Sequence, residues 1–111
     1  MHVVTDNGFE QVTIEGRLDV HSVPDVRTAL HEAIDRGCGD LVVDLSDVEV
    51  SDATGLGVLI GAHRRARRSG RRLVLHGVPP RLCRLLLATR LHRVLIVEPA
   101  IDVDAMLVGI A

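Results

Sequence analysis

The sequence predicts an α/β domain with a mixed, mostly parallel sheet of about five strands and about four helices. Three observations carry that expectation. Short apolar runs suited to strands alternate with longer stretches of helical periodicity, the pattern of βαβ units. An Asn7-Gly8 pair between Val3-Val4 and an alternating run adds an antiparallel hairpin at the front. The chain has 111 residues, 47% of them apolar and 25% charged, which suits one core. Residues 1–111 are therefore expected to form a single domain.

The elements follow in order. Asn-Gly tolerates positive φ at both turn positions, so Val3-Val4 should pair with the run Val12, Ile14, Gly16, Leu18. Ser22-Val23-Pro24-Asp25 then opens a helix: Ser22 as cap, Pro24 in the first turn, Asp25 completing a capping box. Val23, Val26, Leu30, Ala33 and Ile34 share one face, and Gly37 marks the stop. Leu41-Val42-Val43-Asp44-Leu45 reads as a strand buried on both faces, continuing through Val48 and Val50. A second helix runs through Leu56, Leu59, Ile60 and Ala66 to a stop at Gly70. Leu73-Val74-Leu75 is a further buried strand. Pro79-Pro80 introduces a third helix carrying Leu82, Leu85, Leu86 and Thr89. Val94 to Val97 is the last strand, and a short terminal helix is expected from about Ile101.

Composition excludes several functions. Phe9 is the single aromatic residue and the net charge is -2, so neither base stacking nor a basic field draws nucleic acid. All 13 basic residues are arginine. Without lysine there is no P-loop phosphate contact and no Schiff base. Cys38 and Cys83 form no CxxC pair and read as buried free thiols of a reducing compartment. The start of the chain does not resemble a signal peptide, and the longest apolar stretch, Gly55 to Ala62, is shorter than the ~20 residues of a membrane span. A cytoplasmic protein without membrane insertion is expected.

Parallel α/β sheets place ligands and switches where strands end and helices begin. One junction here combines a hydroxyl, an acid and glycines: Asp52-Ala53-Thr54-Gly55-Leu56-Gly57. Thr54 stands at or just before the first turn of a helix, where backbone N–H groups lack partners and the dipole is positive. A phosphate on Thr54 has the amides of Gly55, Leu56 and Gly57 within reach, and the glycines admit a partner's backbone. Asp52 is placed to orient the hydroxyl. The competing account is that Thr54 simply caps the helix, with Asp52 complementing the dipole.

The stretch from Leu41 to Leu59, with Asp44-Leu45-Ser46 followed by Asp52-Ala53-Thr54-Gly55-Leu56-Gly57, resembles the signature of STAS-domain anti-sigma-factor antagonists. Gly16-Arg17-Leu18-Asp19 resembles the family's Gly-x-Leu-Asp. The resemblance runs over nearly the whole chain and implies a single STAS domain that is a binding module and not an enzyme. It implies a partner switch: the dephosphorylated form binds an anti-sigma factor serine/threonine kinase and frees a sigma factor, and a phosphatase resets the system. Thr54 is then the phosphoacceptor, Asp19 and Asp52 the acidic neighbours, and Ala53, Gly55, Leu56 and Gly57 the rest of the docking surface. The sequence departs from the commoner pattern in having Thr54 for serine and Ala53 for a hydroxyl residue. A STAS subunit of a signalling scaffold or of a lipid-transport ABC system is the alternative within the fold. A small nucleotide-handling enzyme is the alternative outside it.

Other patterns carry less. Gly55-x-Gly57-x-x-x-Gly61 imitates a dinucleotide-binding run, but His76 stands where an acid should close the next strand, so no cofactor is expected. Gly57 and Gly61 are expected instead to permit close helix-to-sheet packing. The run His63 to Arg72 has the composition of a nucleic-acid or membrane patch. Without aromatics or a basic total it reads as the solvated end of a helix, and a contact with an acidic protein partner fits both readings. The six histidines have no metal-ligand spacing, and no serine sits in a nucleophile elbow.

Overall fold

Alternation and apolar runs become strands where expected. The structure is a computed structural model and describes residues 2–6, 11–50 and 53–101. Strand β1 (His2–Asp6) pairs antiparallel with β2 (Gln11–Leu18), matching Val3 to Ile14 and Thr5 to Val12. Strands β3 (Leu41–Val50), β4 (Leu73–His76) and β5 (Ile96–Glu98) then add in parallel, one beside the next. The order is β1-β2-β3-β4-β5. Helices α1 (Val23–Arg36), α2 (Thr54–Arg68) and α3 (Pro80–Ala88) make the crossovers. A 3-10 turn at Leu91–Arg93, not anticipated, delays the last strand from Val94 to Ile96. The Asn7-Gly8 turn lies outside the described residues, as does the expected terminal helix beyond residue 101.

Right-handed crossovers that all step in one direction put every helix on the same face. The core agrees: Val12, Ile14, Val43, Leu45 and Leu75 cluster with Leu30 of α1, Leu59 of α2 and Leu86 of α3. The expectation that β3 is buried on both faces is therefore corrected. Leu41, Val43 and Leu45 are buried, whereas Val42 and Asp44 on the other face are half-buried. Val74 is 3% exposed yet stands outside the core cluster. The helical layer covers one side of this sheet.

Two terminus signals also resolve differently. Ser22 makes no capping bond to α1 and has helical dihedrals. It accepts the Asp19 N–H (3.0 Å) and donates to the Arg17 carbonyl (2.9 Å), tying the β2–α1 turn together. At the other end α1 stops before Gly37, but its carbonyls are met from a distance by Arg71. That side chain was expected in a solvated run and is buried instead. Cys38 is exposed and Cys83 half-buried, where both were expected inside.

His63 on α2 is 4% exposed, and its Nδ1 has no hydrogen-bond partner among the described residues. Burial, followed by the charges of Arg67 and Arg64, pushes its pKa below the ordinary 6.5. The unfolded chain then takes up the proton first. Stability is complete above about pH 6.5 and falls as the pH drops below it. His31 is shifted the same way, by burial and by Arg65, against Asp35. The loss of urea resistance between about pH 7.5 and about pH 5.5 is expected to be smaller for His63→Leu than for the wild type. An equal loss in both proteins would assign the pH dependence to other groups.

Candidate partner-docking site

β3 outlasts its neighbour. Its first four residues pair with β4, and from Asp47 to Val50 it pairs with β2 alone. This two-stranded extension carries the chain past the sheet to the start of α2. The cap position there is Ala53 (φ -73°, ψ -9°), with no side-chain bond to the helix. Thr54 is thus the first helical residue, and it is exposed. The capping account of Thr54 does not describe this geometry.

Gly55 explains how the site is assembled. A Cβ at this position would lie 2.9 Å from Leu18 Cδ2 and 3.0 Å from Leu18 Cγ. The first turn of α2 is pressed onto the last residue of β2, and a Cβ there would require the buried Leu18 side chain to shift. That contact brings Asp19, next after Leu18, to the same end of the sheet as Thr54, just before Gly55. Close packing therefore belongs to Gly55. At Gly57 and Gly61, expected to serve it, a Cβ would meet nothing within 4 Å.

Asp19 holds its own turn. Its Oδ1 accepts the N–H groups of His21 (2.9 Å) and Ser22 (3.2 Å). Desolvation works to raise its pKa, but those amides and the charges of His21 and Arg17 outweigh it, leaving the carboxyl below its ordinary value. Asp19 is therefore an anion at neutral pH. Val20, beside it, is a large apolar side chain left 66% exposed. Sequence reading missed Val20 because it continues the in-phase alternation of Val12, Ile14 and Leu18. The strand ends at Leu18 and the turn throws Val20 outward.

The expected site residues separate accordingly. Asp19 is half-buried, and Ala53, Thr54 and Gly57 are exposed, so these four share the surface. Gly55 and Leu56 are buried, and the Leu56 side chain belongs to the core. Asp52 lies outside the described residues. Of the three amides expected to cradle a phosphate, that of Leu56 already donates to the Ala53 carbonyl (3.1 Å). Among the described residues no group of His, Cys, Asp and Glu could hold a metal ion, and no helix is long and apolar enough to cross a membrane. The arrangement sets an exposed threonine at a positive helix end, at the same end of the sheet as an anionic turn and an exposed apolar side chain.

Comparison with known proteins agrees in fold and length. The family model described as "Mlab, STAS domain" matches residues 2–98. An anti-sigma-B factor antagonist of Staphylococcus epidermidis is 30% identical over 104 residues, covering 94% of this chain and 96% of that protein. Two solved structures share the fold. The anti-sigma factor antagonist SpoIIAA in its unphosphorylated form superposes with a TM-score of 0.64 at 19% identity, over 95% of this chain and 93% of its own. An anti-sigma factor antagonist from Mycobacterium paratuberculosis does so at 0.69 and 24% identity, over 97% and 90%.

Proposed function

The chain belongs to the STAS domain family, and on that premise we propose that it is an anti-sigma factor antagonist working as a phosphorylation-controlled partner switch. Dephosphorylated, it docks on an anti-sigma factor kinase and so frees a sigma factor. Phosphorylation of Thr54 ends the contact, and a phosphatase restores it. The observation that supports this most is the position of Thr54: exposed, first in α2, and not the helix cap.

In the transfer step, Thr54 Oγ1 attacks the γ-phosphorus of ATP bound to the kinase. The new O–P bond forms as the bond to the ADP oxygen breaks, and the hydroxyl proton passes to a carboxylate at the junction. Asp52 is placed in sequence for that task and for orienting the hydroxyl. The product gains roughly -1.5 to -2 charges at neutral pH. The positive helix end tolerates this charge, so the fold persists. A docked interface does not: the added charge lies at the same end of the sheet as the anionic Asp19 turn and must be desolvated there. A penalty of ~3 kcal/mol weakens binding by ~100-fold.

The test is calorimetry against the anti-sigma factor kinase of the same organism. Thr54→Ala is expected to bind like the unphosphorylated protein, and Thr54→Glu roughly 100-fold more weakly. Equal affinities would remove Thr54 from the switch. Recovery of a transport complex in place of a kinase in a pull-down from the native lysate would move the chain to the scaffold or transporter role.

A further inference from the structure

Acids and bases are segregated along this chain. Residues 1–50 hold eleven acids against three arginines, and residues 51–111 hold ten arginines against four acids. Strand order follows chain order, so segregation in sequence becomes segregation in space. The β1–β3 side with α1 is acidic; the side built by α2, α3 and β5 is basic. Ion pairs stitch the seam: Arg65 to Asp35 at 2.6 Å and Arg72 to Asp40 at 3.1 Å. Beyond the seam, Arg64, Arg67 and Arg68 on α2, Arg81 and Arg84 on α3, and Arg93 are exposed and form no ion pair among the described residues.

The outer face of α2 has a second property. Gly57, Gly61, Arg64 and Arg68 are spaced 4, 3 and 4 apart and share one stripe. Packing within the domain requires neither glycine, since a Cβ at either would meet nothing within 4 Å. Each costs the helix about 1 kcal/mol relative to alanine. A bare helical surface running into unpaired guanidinium groups fits a close-packed neighbour bearing carboxylates.

We propose that this outer face of α2, from Gly57 to Arg68, docks an acidic protein partner, with Arg64, Arg67 and Arg68 pairing its carboxylates. Arg64 lies about 15 Å along the helix from Thr54, so the arginine pairing is separate from the hydroxyl, and only the Gly57 end of the face adjoins it. Charge favours a protein over a nucleic acid. A phosphate polymer leaving the arginines would run onto the acidic half of the same domain, whereas a folded acidic patch ends where the arginines end. Guanidinium groups also match carboxylates bidentately.

Fluorescence anisotropy with a labelled glutamate-rich peptide of about 20 residues and a DNA duplex of about 20 base pairs tests this. The peptide is expected to bind the full chain at about 50 mM salt and about tenfold more weakly at about 200 mM. The triple variants Arg64→Glu, Arg67→Glu, Arg68→Glu and Arg64→Gln, Arg67→Gln, Arg68→Gln should each weaken it at least about tenfold, with circular dichroism unchanged. Arg17→Glu with Arg27→Glu, on the acidic side, should leave binding unchanged. Gly61→Leu should weaken binding while raising the melting temperature, a combination that a purely structural role would not produce. Absence of peptide binding, binding that survives both triple variants, or equal or tighter binding of the duplex would each overturn the proposal. Sedimentation showing that the arginine face is occupied by a second copy of the chain would overturn it too.

Discussion

Replacing Arg71 with methionine is expected to lower stability by about 3 kcal/mol, seen as a fall of about 2 M in the urea midpoint. A helix leaves its last four carbonyls without internal partners. For α1 two of these, Ala33 and Ile34, accept bonds from Arg71 Nη1 at 3.0 and 2.7 Å. The same guanidinium donates through Nε to the Gly39 carbonyl at 2.9 Å and through Nη2 to that of Cys38 at 3.5 Å. One side chain, 3% exposed, thus closes both the helix end and the loop behind it. Its cation also meets the negative end of the helix dipole. Burial pushes the Arg71 pKa down, but a guanidinium keeps its proton throughout the neutral range. Methionine fills the space and leaves the carbonyls unmet, at about 1–3 kcal/mol for a buried acceptor. Lysine brings charge without the planar fork. Arg71→Lys is therefore expected to recover less than about half of the loss, and a midpoint equal to that of the wild type would show that charge alone suffices.

Gly77→Ala is expected to cost about 2–3 kcal/mol, from two separable causes. Gly77 has φ +66°, a region that costs an L-residue roughly 1–2 kcal/mol. A Cβ there would also strike Ser46 Oγ and come within 3.0 Å of Asp44 Oδ1. Those two groups are bonded to each other: the Ser46 hydroxyl and N–H both donate to Asp44 Oδ1, at 2.6 and 3.0 Å. The hydroxyl bond is the chief reason that the Asp44 carboxyl titrates below its ordinary range, against desolvation. Urea unfolding of the wild type, Gly77→Ala, Ser46→Gly and the double variant resolves the causes. The double variant should be more stable than additivity predicts by about 1 kcal/mol, the share due to contact with Ser46. Strict additivity would reduce the effect of Gly77→Ala to its backbone angle.

Features written in adjacent residues were legible in the sequence. Pro24 and Pro80 open α1 and α3, Gly37 and Gly70 follow α1 and α2, and Thr54 stands where a strand gives way to a helix. Features made by distant residues were not. Ser22 and Asp25 have the spacing of a capping box, but the hydroxyl is engaged by the turn that Asp19 closes at the end of β2. Nothing local tells Arg71 from the arginines around it; what sets it apart is the carboxyl end of α1, more than thirty residues earlier in the chain. The glycines show the same divide. Gly55, Gly57 and Gly61 look alike in sequence, yet only Gly55 faces Leu18. The run from Leu41 to Leu45 did hold a clue to its open face in Asp44, which its apolar neighbours masked.

The ladder of strands in chain order also bears on how the molecule forms. From β3 onward each strand finds its partner in the strand just made, across one helix, with no later segment inserted between earlier ones. Loop closures stay short, so little entropy is spent before a contact is gained. During synthesis, β1, β2, α1 and β3 can assemble before the rest of the chain has emerged, and each later unit joins at one growing edge. The helix bearing Thr54 is then set against a β2–β3 scaffold that already exists.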